Sequence, residues 1–159
     1  MVNIKLITVG TLKESYLCEA VAEYEKRLSG FCKIKNINIK EVKLSQEPSE
    51  REIAAALSEE GKAILEAVTD KSYKIALCIE GKQFSSVELS EKLNSALLNH
   101  SELCFIIGSS FGLSDEVKSH ADLKLSVSKL TFPHQLMRVI LLECIYRCMN
   151  ISKGTKYHK

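Results

Sequence analysis

The chain has 159 residues, enough for one domain with a single hydrophobic core, and its 45% hydrophobic and 26% charged residues are typical of a globular protein. Its formal net charge of +2 does not demand a nucleic-acid partner, so any RNA contact would have to come from a local patch or be shared with other molecules. No run reaches the roughly 18 apolar residues of a membrane span, and the start, MVNIKLITVG, lacks the cleavage site of a signal peptide, so we expect no membrane association.

The first half of the chain alternates predicted strands and helices. Val2–Gly10 is an apolar, β-branched run that ends in glycine, which is typical of a strand entering a turn. Lys13–Leu28 has apolar residues at helical spacing. Cys32–Leu44 alternates isoleucines imperfectly with lysines, which predicts a strand near the edge of a sheet. A second helix is predicted over Pro48–Val68, because proline is tolerated in a first turn.

The second half continues the alternation. Strands are predicted at Tyr73–Ile79, Glu102–Ile107 and Leu123–Val127. Helices are predicted from Ser85 to Leu98, over a short stretch from Ser114, and from Pro133 to about Ile151. There is no repeat, low-complexity segment or linker. The pattern therefore predicts a single domain, residues 1–159, with a mainly parallel sheet in a three-layer α/β sandwich.

Three strand ends are candidates for a ligand site, because ligands of open α/β sheets gather at the carboxyl ends of the strands. They are Leu77–Gly81, Gly108–Gly112 and Ser126–Phe132. The sequence of the second one, GSSFG, is neither a dinucleotide fingerprint nor a P-loop, and it is equally typical of a plain strand-to-helix turn.

The terminal helix has a wide apolar surface, and an arginine lies on that surface. Its apolar residues span an arc of roughly 200° at the helical period, which is more than its own sheet needs to cover. A second subunit is a plausible partner for this surface. Arg138 projects near the middle of the arc. It either bends away to reach solvent, or stays buried and pairs with an anion or a carbonyl group, which would mark a site.

The cysteines are predicted to be reduced and mostly structural. Cys78 and Cys104 lie in apolar runs, and Cys144 and Cys148 are one turn apart on the terminal helix. No Cys-x-x-Cys or paired Cys/His spacing indicates a metal site. This usage is typical of a cytoplasmic protein that binds no metal, although a metal or thiol enzyme based on Cys144 and Cys148 stays an alternative.

Five segments of the chain are specific enough to compare with known families: VGTLKESYLCEAVAEYEKRL, IALCIEGKQFSSVELSEKL, FIIGSSFGLS, LSVSKLTFPHQLMRVILLECIYR and the end KGTKYHK. Together they resemble the H-type 23S rRNA (pseudouridine-N3)-methyltransferases of the SPOUT superfamily. The resemblance covers nearly the whole chain and is most specific over Phe105–Lys159. The chain departs from the family in its glycine loop, where the family often has Gly-Gly-Pro-Glu-Gly, and in its final lysine, where many relatives have arginine.

The resemblance implies properties that periodicity alone does not show. The C-terminal part of the α/β domain would be threaded as a deep trefoil knot, and two copies would form a homodimer through their terminal helices. S-adenosylmethionine would be the cofactor. It would be held at the three strand ends identified above, by Leu77, Gly108, Val127, Ser128, Lys129, Leu130, Thr131 and Phe132. The substrate would be a pseudouridine of 23S rRNA in the assembled ribosome.

Three residues are predicted to act in the transfer of a methyl group to N3 of the base. Arg138 would stabilise negative charge on the base carbonyls, His158 would accept the N3 proton, and Tyr157 would stack on or orient the base. Lys153, Lys156 and Lys159 would contact phosphates. Composition alone is as typical of a frayed terminus as of a catalytic tail. The main alternative function is a non-catalytic, dimeric α/β nucleotide-binding module.

Overall fold

The computed structural model describes residues 1–157, in which five strands alternate with five helices. In chain order these are β1 (Val2–Val9), α1 (Ser15–Leu28), β2 (Cys32–Ile39), α2 (Glu50–Ala67), β3 (Ser72–Lys82), α3 (Ser86–Leu97), β4 (Glu102–Ile107), α4 (Asp115–His120), β5 (Leu123–Leu125) and α5 (His134–Ser152). None of the helices in this part of the chain is long and apolar enough to cross a membrane.

All five strands are parallel and lie in the order β2-β1-β4-β3-β5. The predicted parallel sheet and the edge position of β2 are thus confirmed. β2 ends at Ile39, five residues before the predicted Leu44, because the neighbouring β1 ends at the paired residue Val9. Past this pair there is no partner strand to continue the ladder.

The end of β3 and the start of the segment after β5 approach each other closely. β3 runs to Lys82, beyond the predicted Ile79, because the pairing shifts register and Lys82 comes opposite Leu125. Gly81 permits the approach, since a Cβ atom there would lie 2.7 Å from main-chain atoms of Lys124 and Leu125. β5 ends at Leu125 rather than at the predicted Val127.

The sheet is covered on both faces, which confirms the predicted three-layer sandwich. Alternate residues of β1 point to opposite faces. Ile4 and Leu6 pack in the larger core, which contains α1, α3 and α5 residues, while Ile7 and Val9 pack in a smaller core beneath α2 and α4. α5 lies between α1 and α3 and also contacts β4.

Helix starts follow the sequence signals closely. Ser85 caps α3 as predicted, since its hydroxyl accepts the Glu88 N–H at 3.2 Å and the Glu88 carboxylate accepts the Ser85 N–H at 2.7 Å. Ser49 forms the same reciprocal capping box with Glu52 at the start of α2.

Candidate functional site

A cleft of about 740 Å³ lies where the carboxyl ends of β3, β4 and β5 meet the start of α5. Its walls come from the three strand ends that the sequence singles out and from the first turn of α5. The volume is within the range of small-molecule sites, which is roughly 300–1,000 Å³. The cleft also has the position expected for ligands in parallel α/β sheets.

Seven of the eight residues predicted to hold a cofactor line this one cleft. They are Leu77, Gly108, Val127, Ser128, Leu130, Thr131 and Phe132. The eighth, Lys129, is exposed and does not line it. The fold therefore brings together residues that are more than fifty positions apart in the sequence, because β3 lies between β4 and β5 in the sheet.

The loop after β4, residues 108–112, is folded back on itself. The Gly112 N–H donates to the Ser109 carbonyl oxygen at 2.9 Å, and Gly112 has a φ of +85°. A Cβ atom on Gly108 would overlap the main-chain oxygen of Gly112. Glycine is therefore required at position 108 by the shape of the loop itself, before any ligand is considered.

The loop after β5 is shaped by two serine side chains. The Ser126 hydroxyl donates to the Ser128 carbonyl oxygen at 3.0 Å, and the Ser128 hydroxyl accepts the Leu130 N–H at 2.9 Å. The Ser126 N–H donates to the Lys82 carbonyl oxygen at 3.0 Å, which ties the loop to β3. Such local side-chain bonds fix a loop without regular secondary structure.

The mouth of the cleft has an apolar rim with one ion pair. Ile79, Phe111 and Leu130 are exposed large hydrophobic residues, and all three line the cleft. The Lys118 ammonium lies 2.6 Å from the Glu80 carboxylate, and this hydrogen bond lowers the pKa of Glu80. Of these rim residues, only Leu130 is predicted from the sequence to hold the cofactor. The position of Glu80 near the end of β3 is the signal that could have indicated the ion pair.

Arg138 is buried on α5 and does not line the cleft, although the preceding Met137 does. Its Nη2 donates to the main-chain oxygen of Gly10 at 2.6 Å and to that of Val9 at 3.2 Å. Burial lowers the pKa of Arg138. Of the two alternatives that the sequence left open, the structure shows the buried guanidinium paired with carbonyl groups.

The Arg138 Nε–H has no acceptor. Among residues 1–157 it is the one buried side-chain nitrogen or oxygen atom without a hydrogen-bond partner. A buried charged donor without an acceptor is costly. The guanidinium thus keeps an unused N–H at the carboxyl end of β1, beside the strand that carries the cleft loop 108–112.

Tyr157 packs against Glu143 and Tyr146 of α5 and does not line the cleft. Its hydroxyl donates to Glu143 at 3.1 Å, and its ring contacts Tyr146 with a centroid separation of 4.7 Å. Glu143 lies about 13 Å along the helix axis from the first residue of α5. Desolvation, followed by the Glu143 contact, raises the pKa of Tyr157. His158 and Lys159 lie outside the described residues.

The part of the tail that the structure describes is ordered rather than frayed. Gly154 has a φ of +66°, and the Thr155 N–H donates to the Asn150 carbonyl oxygen at 3.0 Å. The Thr155 hydroxyl bonds the Asn150 side chain at 2.6 Å. Lys153 lies over the Phe31 ring at 4.3 Å. These contacts turn the chain back along α5.

The cysteines give no support to a thiol or metal centre. Burial raises the pKa of Cys148 to about 12 and also raises the pKa of the half-buried Cys144, so neither provides a thiolate at neutral pH. Cys78 is half-buried rather than buried. Residues 1–157 contain no group of three or more His, Cys, Asp or Glu side chains placed to hold a metal ion.

Comparisons with known proteins agree with this geometry. The family described as "Predicted SPOUT methyltransferase" matches residues 2–158. Proteins named "Ribosomal RNA large subunit methyltransferase H" are 49% identical in Leuconostoc mesenteroides, 50% in Streptococcus thermophilus and 48% in Clostridioides difficile, each over 99% of both chains.

The solved structure of a probable methylase family protein from Haemophilus influenzae Rd KW20 shows the same fold at 11% identity. It has a TM-score of 0.56 and covers 98% of this chain and 70% of its own. The family and this structure are consistent with the trefoil knot, which stays a prediction for this chain. The match to the family over almost every residue is decisive for membership. The chain belongs to the SPOUT methyltransferase family.

Proposed function

We propose that this protein transfers the methyl group of S-adenosylmethionine to N3 of a pseudouridine in 23S rRNA of the assembled ribosome. The observation that carries the proposal is the similarity of 46–50% over nearly the full length to proteins named as large-subunit rRNA methyltransferases. The cleft supports it, because seven of the eight residues proposed to hold the cofactor line its walls.

The chemistry of the cleft fits S-adenosylmethionine. Leu77, Leu130 and Phe132 offer apolar surface to a flat adenine ring, and the tightly folded main chain after Gly108 offers N–H and C=O groups to the polar parts. The Ser126 and Ser128 bonds hold one wall in shape without using a ligand. When bound, the cofactor supplies an electrophilic methyl group on a positively charged sulfur atom.

The transfer itself is a displacement that needs positioning and the loss of one proton. The N3 lone pair forms the new N–C bond, the C–S bond breaks, and its electron pair stays on sulfur. The N3 proton passes to a base, for which we propose His158. Arg138 is proposed to stabilise the negative charge that develops on the base carbonyls, since it follows Met137, which lines the cleft, and carries a permanent positive charge.

We also propose that the active protein is a homodimer in which α5 of each copy packs on the other. Leu136, Ile140 and Cys144 are only half-buried within one chain, whereas Leu141, Leu142 and Ile145 of the same helix are buried. Tyr157 lies beside α5 and away from the cleft of its own chain. A dimer through α5 would bring the tail of one copy toward the other, where Tyr157 is proposed to orient the base.

Recognition of the RNA is proposed to be shared with the ribosome. The net charge of +2 gives the protein little general attraction for nucleic acid. Lys156 is exposed, and Lys153 is held over Phe31. These two side chains are placed on the same tail as Tyr157, so phosphate contacts and base orientation would come from one segment.

Isothermal calorimetry tests the cofactor assignment against the alternative of a non-catalytic nucleotide-binding module. S-adenosylmethionine, S-adenosylhomocysteine and ATP are titrated separately into the purified protein. We expect the first two to bind in the micromolar range and ATP to bind at least roughly tenfold more weakly, because the cleft has no P-loop for a triphosphate and its lysine, Lys118, is paired with Glu80. Binding of ATP alone would favour the alternative.

A further inference from the structure

The last turns of α5 contain a buried polar side chain, Asn150, which is only 4% exposed. Its Nδ2 donates to the main-chain oxygen of Tyr146 at 2.8 Å. A side-chain amide donates from its nitrogen and accepts at its oxygen, so this bond leaves the Asn150 Oδ1 as an acceptor. The Thr155 hydroxyl donates to that oxygen at 2.6 Å. The buried amide group is therefore hydrogen-bonded at both ends, once within the helix and once to the tail.

The main chain joins the same two residues. The Thr155 N–H donates to the Asn150 main-chain oxygen at 3.0 Å, and the Gly154 N–H donates to that of Ile151 at 3.0 Å. With Gly154 at a φ of +66°, these two bonds form a Schellman motif, which ends many helices. The motif needs main-chain groups alone. The side-chain bond between Asn150 and Thr155 is thus an additional connection between the helix and the tail.

Tyr157, two positions beyond Thr155, is held on α5 as well. Its ring centroid lies 4.7 Å from that of Tyr146 and 4.9 Å from the guanidinium carbon of Arg147. Tyr146 therefore contacts Tyr157 through its ring and Asn150 through its main-chain oxygen. The tail is attached to α5 at two places, the turn at Thr155 and the ring of Tyr157.

A tail this short passes on any change at its turn. The main chain spans at most about 3.6 Å per residue, so Tyr157 lies within about 7 Å of Thr155. A segment of this length is too short to compensate for a rotation of the turn. Misplacing a reacting group by about 1 Å can slow a reaction about a hundredfold. The direction of the turn therefore determines where the tail can place a group.

We infer that Asn150 is a positioning residue that sets the direction of the tail, and that it acts through Thr155. Asn150 does not line the cleft. Its role in methyl transfer rests on the proposed function, in which Tyr157 and His158 act on the base. Its role in the order of the tail does not rest on that function.

Thr155 provides the most direct variants, because it is exposed and its replacement leaves the buried packing intact. Thr155→Val keeps the shape of the side chain and removes the hydroxyl, whereas Thr155→Ser keeps the hydroxyl. Both would be compared with Asn150→Ala and with the double variant Asn150→Ala/Thr155→Val. Asn94→Ala is the matched control, because Asn94 bonds Ser152 at the end of the same helix rather than Thr155.

The first readout is limited digestion with trypsin, which cuts after Lys153 and Lys156, and mass spectrometry follows the loss of residues 154–159 or 157–159. Thr155→Val and Asn150→Ala should be cut about fivefold faster, because the loss of a hydrogen bond raises the population of the detached tail. Thr155→Ser and Asn94→Ala should stay within about twofold of wild type. Circular dichroism verifies folding, and Thr155→Val decides the matter if Asn150→Ala does not fold.

The second readout is single-turnover methyl transfer to ribosomes that lack the modification, at saturating ribosome and cofactor concentrations. Thr155→Val and Asn150→Ala should transfer about tenfold more slowly, while their Kd for S-adenosylmethionine stays within about twofold of wild type. The double variant should be no slower than the slower single variant, because both changes remove the same bond. Thr155→Ser should transfer at nearly the wild-type rate, since its hydroxyl still reaches Asn150.

Wild-type cleavage and transfer rates in Thr155→Val would overturn the inference, as would equally faster cleavage in Asn94→Ala. Faster cleavage of Thr155→Val with an unchanged transfer rate would overturn the role of Asn150 in the reaction. If the wild-type protein methylates no ribosomes, the proposed function fails, and the cleavage rates alone decide whether Asn150 sets the direction of the tail.

Discussion

The guanidinium of Arg138 holds the main-chain oxygen of Gly10 at 2.6 Å, which joins the first turns of the last helix to the end of the first strand. Gly10 has a φ of +81°, a left-handed conformation that glycine adopts without strain. The same Nη2 also reaches the Val9 oxygen. Arg138 therefore fixes the turn after β1 and at the same time keeps its Nε–H free of any protein acceptor in residues 1–157.

Replacing Arg138 with lysine keeps the positive charge, so it tests whether these two roles need the guanidinium group. An ammonium group does not reproduce the planar fork of donors, so it cannot hold the turn and a ligand carbonyl together. We expect Arg138→Lys to fold and to bind S-adenosylmethionine within about threefold of wild type, but to transfer methyl groups at least about tenfold more slowly. Single-turnover transfer and calorimetry measure the two quantities. Wild-type transfer rates would remove Arg138 from the reaction.

Gly108→Ala should damage the cleft without unfolding the protein. The added methyl group would overlap the Gly112 oxygen, so the loop must shift, and we expect cofactor affinity to fall at least about tenfold. Gly30→Ala is the matched control, because a Cβ atom at Gly30 meets nothing within 4 Å. Calorimetry and thermal unfolding check both variants. Equal cofactor affinities in the two variants would show that this loop does not form part of the site.

Ile140→Glu should convert a dimer into monomers. Ile140 is half-buried on α5, and a carboxylate buried at a helix-to-helix interface without a partner costs several kcal/mol, roughly 3–5. Tyr146→Glu is a poor substitute, because Tyr146 packs within its own chain against Phe31 and Tyr157. Sedimentation velocity gives the mass. A variant that sediments as the wild-type dimer would place the interface elsewhere.

The buried thiols predict a loss of stability in alkali. Burial raises the pKa of Cys32 to about 11 and those of Cys104 and Cys148 to about 12. In the unfolded chain a thiol ionises near about pH 8.5. The stability that depends on these protonated thiols is therefore fully present below about pH 8.5 and falls as the pH rises toward their folded-state values.

Each of these buried thiols should lower the free energy of unfolding by about 1.4 kcal/mol for each pH unit above about pH 8.5. Urea unfolding at several pH values measures the slope. Cys104→Ala should reduce the slope by the share of one thiol. A slope that is the same in Cys104→Ala as in wild type would show that Cys104 ionises as easily in the folded protein as in the unfolded chain.

Local signals in the sequence were sufficient for most of the elements. Ser85 is followed by Glu88 at the spacing of a capping box, and the start of α3 is found where that pattern puts it. The ends of β2, β3 and β5 were misplaced for a different reason. A strand ends where its neighbour stops pairing, and the pairs Val9 with Ile39 and Lys82 with Leu125 join segments that the sequence does not show to be adjacent.

The site was predictable in part because strand ends gather at one edge of a parallel sheet. The charged groups inside the protein were harder to foresee. A helical wheel shows that Arg138 points inward, but it does not show that Gly10 and Val9 lie opposite. Glu60 looks like one more acidic residue on an exposed helix, but the structure buries it, and its carboxylate accepts the Val42 N–H.

Methyl transfer to intact ribosomes is the most direct test of the proposed activity. Ribosomes from a strain that lacks the modification are incubated with the protein and methyl-labelled S-adenosylmethionine, and the labelled nucleotide is mapped by primer extension and mass spectrometry. We expect stoichiometric label at one pseudouridine of 23S rRNA, on N3, and no label with naked 23S rRNA. Label on another RNA, on a base other than pseudouridine, or no label with a protein that binds the cofactor would contradict the proposal.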